Sequence, residues 1–73
     1  MEKGYAAVLD QHILIDTVST SDRAAMISWL IVHAGFMVPH GMGDFAIRDN
    51  FARYSKGRGV SIKPVRIQLE EGN

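Results

Sequence analysis

Ser19-Thr20-Ser21-Asp22-Arg23-Ala24-Ala25-Met26-Ile27-Ser28-Trp29-Leu30-Ile31-Val32-His33-Ala34-Gly35 decides the fold, because it carries a start, an apolar body and a stop for one helix. Ser19 followed by Asp22 resembles a capping pair, with Asp in the place usually held by Glu or Gln. Met26, Ile27, Leu30, Ile31 and Ala34 share one face at helical spacing, and Ala25, Trp29 and Val32 widen that stripe onto a second face. A helix this apolar needs two neighbours, so a sheet on one side and another helix or a partner on the other are expected. Arg23, Ser28 and His33 are left for water. Gly35 supplies the left-handed conformation that ends a helix without a Cβ clash.

Outward from that helix, Tyr5–Leu9 and Ile13–Val18 read as strands joined by Asp10-Gln11-His12, a connection short enough for a hairpin. In the second run Ile13, Ile15 and Thr17 are expected on the core side, with Asp16 in water. Phe36-Met37-Val38 is a candidate short strand, reached from the second strand by a right-handed crossover through the helix. Pro39, His40, Gly41, Met42 and Gly43 break regular structure, and a second helix is predicted from Asp44 to about Ser55, with Ile47, Phe51 and Tyr54 as its apolar stripe. Gly57 and Gly59 end that helix in a loop. Val60–Glu70 reads as a last strand, in which Val65, Ile67 and Leu69 alternate with polar residues and Val60 and Ile62 hold the opposite phase. The phase changes at Lys63-Pro64, which predicts a bulge or an edge strand. The expected fold is α+β: one domain over residues 1–73, a mainly antiparallel sheet of three or four strands, and two helices packed on one face.

The chain has 73 residues, no cysteine and an apolar fraction of 47%, so the core must hold together without disulfides or cysteine-bound zinc. Eight basic and eight acidic side chains cancel, which argues against retention on nucleic acid or membrane by overall charge. The apolar run Trp29–Val32 is far short of a membrane span, and Met1-Glu2-Lys3-Gly4-Tyr5 lacks the order of a signal peptide. A soluble, cytoplasmic protein is expected.

Few residues suggest chemistry. His12, His33 and His40 fall in three different elements with no metal-ligand spacing, so no metal and no cofactor are expected. Asp44 and Asp49 are not positioned as a catalytic pair, Ser19, Ser21 and Ser28 suit caps or helix surface, and Gly41-Met42-Gly43 is a fragment of a glycine-rich loop without its lysine. No convergent acid, base and nucleophile is visible, and an enzyme is not expected. The local charge cluster is Arg53-Tyr54-Ser55-Lys56-Gly57-Arg58-Gly59, followed by Lys63 and Arg66. It suits the negative end of a helix, an acidic protein surface or a phosphate backbone. A second, apolar surface is expected around Tyr5, Phe36, Met37, Met42 and Phe45, with Met26 and Met37 filling core and Met42, between two glycines, exposed.

Ile13-Leu14-Ile15-Asp16-Thr17-Val18-Ser19, then Arg23-Ala24-Ala25 and Trp29-Leu30, then Gly35-Phe36-Met37-Val38, resemble small early proteins of bacteriophages over roughly the first forty residues. That group includes RNA-polymerase-binding transcription regulators, which shut off host promoters and carry polymerase past terminators by contacting the N-terminal part of the large β′ subunit. The resemblance implies a non-catalytic regulator of the bacterial host's RNA polymerase, acting by occupancy. It carries no binding motif onto individual residues. From the charge and apolar pattern, Arg53, Tyr54, Lys56 and Arg58 are the residues expected to steer the partner, and Met42 and Phe36 to anchor it. The alternative is a nucleic-acid-binding accessory protein using residues 53–58.

Overall fold

A computed structural model describes residues 2–67. Strand β1 (Glu2–Leu9), strand β2 (His12–Ile13), helix α1 (Asp22–Val32), helix α2 (Asp44–Ser55) and strand β3 (Val60–Ile67) follow in that order, with a 3-10 turn at Ile15–Thr17 between β2 and α1. The sheet is antiparallel and three-stranded in the order β2-β1-β3, so the fold is α+β as the sequence predicts. Helix α1 packs on β1 and β3, and α2 packs against α1. Trp29, Leu30, Phe51 and Ala7 form the core, ringed by Leu14, Met26, Phe36, Val38, Val60 and Ile62.

The β1–β2 hairpin closes with Leu9 opposite His12, and both loop residues, Asp10 (φ 50°) and Gln11 (φ 68°), lie in the left-handed region. Positive φ at both positions marks a type I′ turn, whose twist matches the strands. Aspartate tolerates this conformation; glutamine does so at a cost in Cβ crowding. Gln11→Gly is therefore expected to stabilise the domain by about 0.5–1 kcal/mol after the added freedom of the unfolded chain is subtracted. Thermal melts of the two proteins check this, and a lowered Tm would contradict the turn.

The second strand is shorter than predicted. Pairing stops after Ile13, and Leu14–Thr17 wind into the 3-10 turn. Thr17 is fully buried, and its hydroxyl accepts from the Ala7 N–H (2.8 Å) and donates to the Leu14 carbonyl (2.6 Å). Side-chain bonding of this kind competes with a ladder and is why β-branched alternation here does not give a strand. Ile13 and Ile15 consequently face outward, Ile15 being 77% exposed, and Leu14 takes the inward place expected of them. Beyond the turn, Ser19 forms an isolated antiparallel bridge with Tyr5, giving and receiving one bond at 2.8 Å each. The helix start accordingly moves to Ser21, whose side chain accepts from the Ala24 N–H (3.1 Å), and the expected pairing of Ser19 with Asp22 does not form.

Helix α1 ends where Gly35 (φ 67°) turns the chain back and the Phe36 N–H reaches the Leu30 carbonyl at 2.9 Å. Phe36–Val38 is irregular, not a strand, so no crossover to a fourth strand forms. Helix α2 matches its predicted bounds, with Gly43 at its N-cap, Ile47 and Phe51 buried, and Tyr54 at the rim.

Strand β3 pairs with β1 without interruption from Leu9↔Val60 to Glu2↔Ile67, so Lys63-Pro64 makes no bulge. Alternation then places Val60 and Ile62 on the helix-covered face and Val65 and Ile67 on the opposite one. The predicted continuation through Gln68, Leu69 and Glu70 lies outside the described residues. Tyr5 exchanges its main-chain bonds with Ser19, so its pairing with Pro64 is the kind without hydrogen bonds and the proline nitrogen points to the open edge. Gly4 pairs with Val65 where a Cβ would stand 2.5 Å from Ile67 Cδ1 and 2.7 Å from the Ser19 carbonyl oxygen; this close approach requires a residue without a side chain.

Candidate functional site

The basic segment predicted from sequence sits at the C-terminal end of α2 and in the loop to β3. Four aromatic rings and one cation organise it. Trp29 meets Phe51 edge to face, with centroids 5.3 Å apart and planes at 75°. Phe36 meets Tyr54 at 5.3 Å with planes tilted by 47°. Gly57 (φ 78°) lets the loop fold back, the Arg58 N–H bonds to the Ser55 carbonyl (3.0 Å), and the Arg58 guanidinium carbon lies 5.6 Å from the Trp29 ring centroid. Arg53 pairs with Asp49 one turn earlier at 3.1 Å, and Lys56 is the exposed C-cap of the helix. Of the six contact residues expected from sequence, the fold gathers Phe36, Tyr54 and Arg58 around the Trp29–Phe51 pair, and leaves Arg53 and Lys56 at its rim.

Met42 is elsewhere, and its expected exposure is corrected. It is half-buried, and its carbonyl accepts from Arg23 Nη2 at 3.1 Å. Phe36 is also half-buried, with its ring on the core. Among the described residues the exposed methionine is Met37, assigned to core from sequence but 87% exposed. Its neighbour Phe36 turns inward to Tyr54, which leaves Met37 outside; no periodicity in the irregular segment 35–39 signals that choice. Phe45, Ile31 and Val32 are further exposed apolar side chains.

A groove of about 310 Å³ lies between α1 and residues 38–42, with Ile27, Ile31, Val38, Met42 and Ile47 as its apolar walls and Arg23 and His40 at the rim. Beside it, ion pairs join the starts of the two helices. Arg48 bonds to Asp22 (3.0 Å) and to Asp44 (2.8 Å), and Arg23 approaches Asp44 at 3.7 Å. Each acid also sits in the first turn of its helix, where the dipole favours negative charge. The Arg48 hydrogen bond holds the Asp22 carboxyl below the usual carboxylate range and raises the guanidinium's own value. A depressed carboxyl contributes stability that is fully present above its unfolded value and disappears as pH falls through the folded one. Asp22→Asn should therefore destabilise the protein at pH 7 and have a shrinking effect below about pH 4. Urea unfolding of both proteins across that range checks the sign; an effect that grows on acidification would refute the linkage.

The histidines do not meet. His33 Nε2 bonds to Asp16 Oδ1 at 2.9 Å, fastening the end of α1 to the 3-10 turn, while His12 and His40 are exposed on the hairpin and on the groove rim. Among the described residues, no three His, Cys, Asp or Glu side chains converge to hold a metal ion, and no helix is long and apolar enough to cross a membrane. Comparison with protein-family models, curated proteins and solved structures gives no match to this chain.

Proposed function

We propose that the protein is a non-catalytic regulator of bacteriophage type that binds a host protein, with the large subunit of RNA polymerase as its target, and works by occupancy in the host cytoplasm. The resemblance of the first forty residues to early phage proteins supports the partner's identity. The Phe36–Tyr54 contact carries the choice of surface, because it fastens the segment that holds the exposed Met37 to the last turn of α2. Such a surface combines an adaptable apolar side chain with cations that orient the approach. Bound there, the protein would hold a polymerase segment in one arrangement and shift which state is populated, affecting initiation and termination together.

The nucleic-acid alternative uses the same cations, part of whose capacity is engaged within the fold: Tyr54 faces Phe36, Arg58 lies over Trp29, and Arg53 pairs with Asp49. The two are separated by presenting the immobilised protein to purified bacterial core RNA polymerase and to duplex DNA over a salt series. Binding of polymerase free of nucleic acid, weakened about tenfold by the pair Met37→Ser and Lys56→Gln, is expected. Failure to bind polymerase together with steep salt-dependent binding to any duplex would replace this function with the alternative.

A further inference from the structure

We infer that the end of the sheet where Lys3 stands opposite Arg66 is a binding site for a nucleoside 5′-monophosphate, with the two cations on its phosphate and Tyr5 as the surface for its base. This site lies apart from the protein-binding surface described above and does not depend on it.

Strands β1 and β3 run on past the cover of the helices. On one face of the pair, Ala7 belongs to the core and Ile62 packs against it, whereas Lys3, Tyr5, Pro64 and Arg66, further along the same face, are all exposed. Tyr5 pairs with Pro64 without hydrogen bonds, and the pattern repeats every second residue. Lys3 and Arg66 therefore form the same closer kind of pair, with Cβ atoms about 4.5–5.5 Å apart. Of the β1–β3 pairs, this one alone sets two cations opposite each other. Like charges so placed repel and weaken the ladder. Lys3 makes no ion pair among the described residues. Lys63, the other cation of β3, pairs with Ala6 and projects from the opposite face, so it takes no part.

A groove of about 280 Å³ lies at this pair, lined by Lys3, Pro64, Val65 and Arg66. An anion seated there turns the repulsion into two attractions. The doubled charge also selects the anion. A phosphate monoester carries a charge of about −1.5 to −2 at pH 7 and three acceptor oxygens, enough to take the guanidinium edge and the ammonium together. A carboxylate brings one charge and two oxygens, and neutralises only one of the two cations. A guanidinium has five N–H donors, so Arg66 can hold a neighbour in the fold and still present an edge to the groove. Tyr5 stands two residues from Lys3 on the same face, about 7 Å along the strand and within the span of a ribose. Its exposed ring offers a base a flat surface, and stacking of this kind accepts any base. That ring is what favours a nucleotide over other phosphate monoesters.

The test is a titration of the isotope-labelled protein, followed by amide chemical shifts, with adenosine 5′-monophosphate, adenosine, O-phosphoserine and an Asp-Glu dipeptide as probes. The nucleotide should shift the amides of Lys3, Tyr5, Val65 and Arg66, and bind more weakly as salt rises. Adenosine and the dipeptide should each bind at least about tenfold more weakly, and O-phosphoserine about fivefold. Lys3→Gln and Arg66→Gln should each cost about tenfold in affinity, Tyr5→Leu should remove the preference for the nucleotide over O-phosphoserine, and Lys63→Gln should change nothing. Lys3→Glu keeps loss of binding apart from loss of folding: it converts the repulsion into attraction, so it should raise Tm without ligand while abolishing binding. No shifts at this end of the sheet, equal binding of adenosine or of the dipeptide, an equal loss from Lys63→Gln, or a Tm lowered by Lys3→Glu would overturn the proposal. Equal binding of O-phosphoserine would overturn it too, by removing the base from recognition.

Discussion

Trp29→Ala is expected to destabilise the domain by about 3–5 kcal/mol, the largest effect of any single substitution considered for this chain. The ring is buried to 2% exposure, meets Phe51 edge to face, and supports Arg58. Its removal deletes apolar contact with the sheet and with α2 at once, and neighbours on a rigid strand cannot collapse into the space. A chain of 73 residues has a total stability of roughly 4–11 kcal/mol, so the variant should lose a large share of it. Urea titration followed by far-ultraviolet circular dichroism measures this without the lost fluorophore. Trp29→Phe, which keeps an aromatic contact, should recover more than half of the difference; a loss below about 1 kcal/mol for the alanine variant would show that the ring is not the centre of the core.

The second large effect comes from one oxygen atom. Thr17→Val preserves shape and removes the hydroxyl that accepts the Ala7 N–H in the interior. The Leu14 carbonyl loses a 2.6 Å bond but keeps the Thr17 N–H at 2.9 Å, whereas the Ala7 N–H is left with nothing. An orphaned buried donor costs about 1–3 kcal/mol, and the more apolar valine offsets little of it. Thr17→Ser retains the hydroxyl and should be the milder variant, losing only a methyl group. Amide exchange resolves the cause: in the valine protein, the Ala7 amide should lose protection ahead of its neighbours in β1. Equal stability of the valine and serine variants would remove the hydroxyl from this role.

These two residues also show what could be read from the chain. Trp29 stood out because an apolar stretch broken only by Ser28 and His33, between a serine-rich start and a glycine stop, suits a helix pressed from two sides, and α1 is pressed so by the sheet and by α2. Asp44–Ser55 was legible for the same reason, since the spacing of Ile47 and Phe51 fixes an inward face. Thr17 misled. Its alternation with Ile13 and Ile15 signals a strand, but a threonine hydroxyl that finds a main-chain donor ten residues away redirects the backbone, and nothing local distinguishes the two outcomes. The proline of β3 was ambiguous between a bulge and an edge, and only the register with β1 decides for the edge.

The site was legible in part. Tyr54 and Arg58 were marked by their cluster of charge and glycine, but the partners that position them, Phe36 and Trp29, are separated from them by more of the chain than any motif spans. The roles of Met37 and Met42 were exchanged, because in an irregular segment the direction of a side chain follows from which neighbour is drawn inward. The ion pairs between Asp22 and Arg48 join residues 26 positions apart and exist only once both helices are docked.

Pro64 has a consequence for life at high copy number. Its ring nitrogen occupies the middle of the one long margin of the sheet, where a neighbouring molecule would seek a donor. An approaching chain can begin to align with either half of that margin but meets a gap at the centre. The missing donor lowers the tendency of this margin to pair with a second copy of the chain.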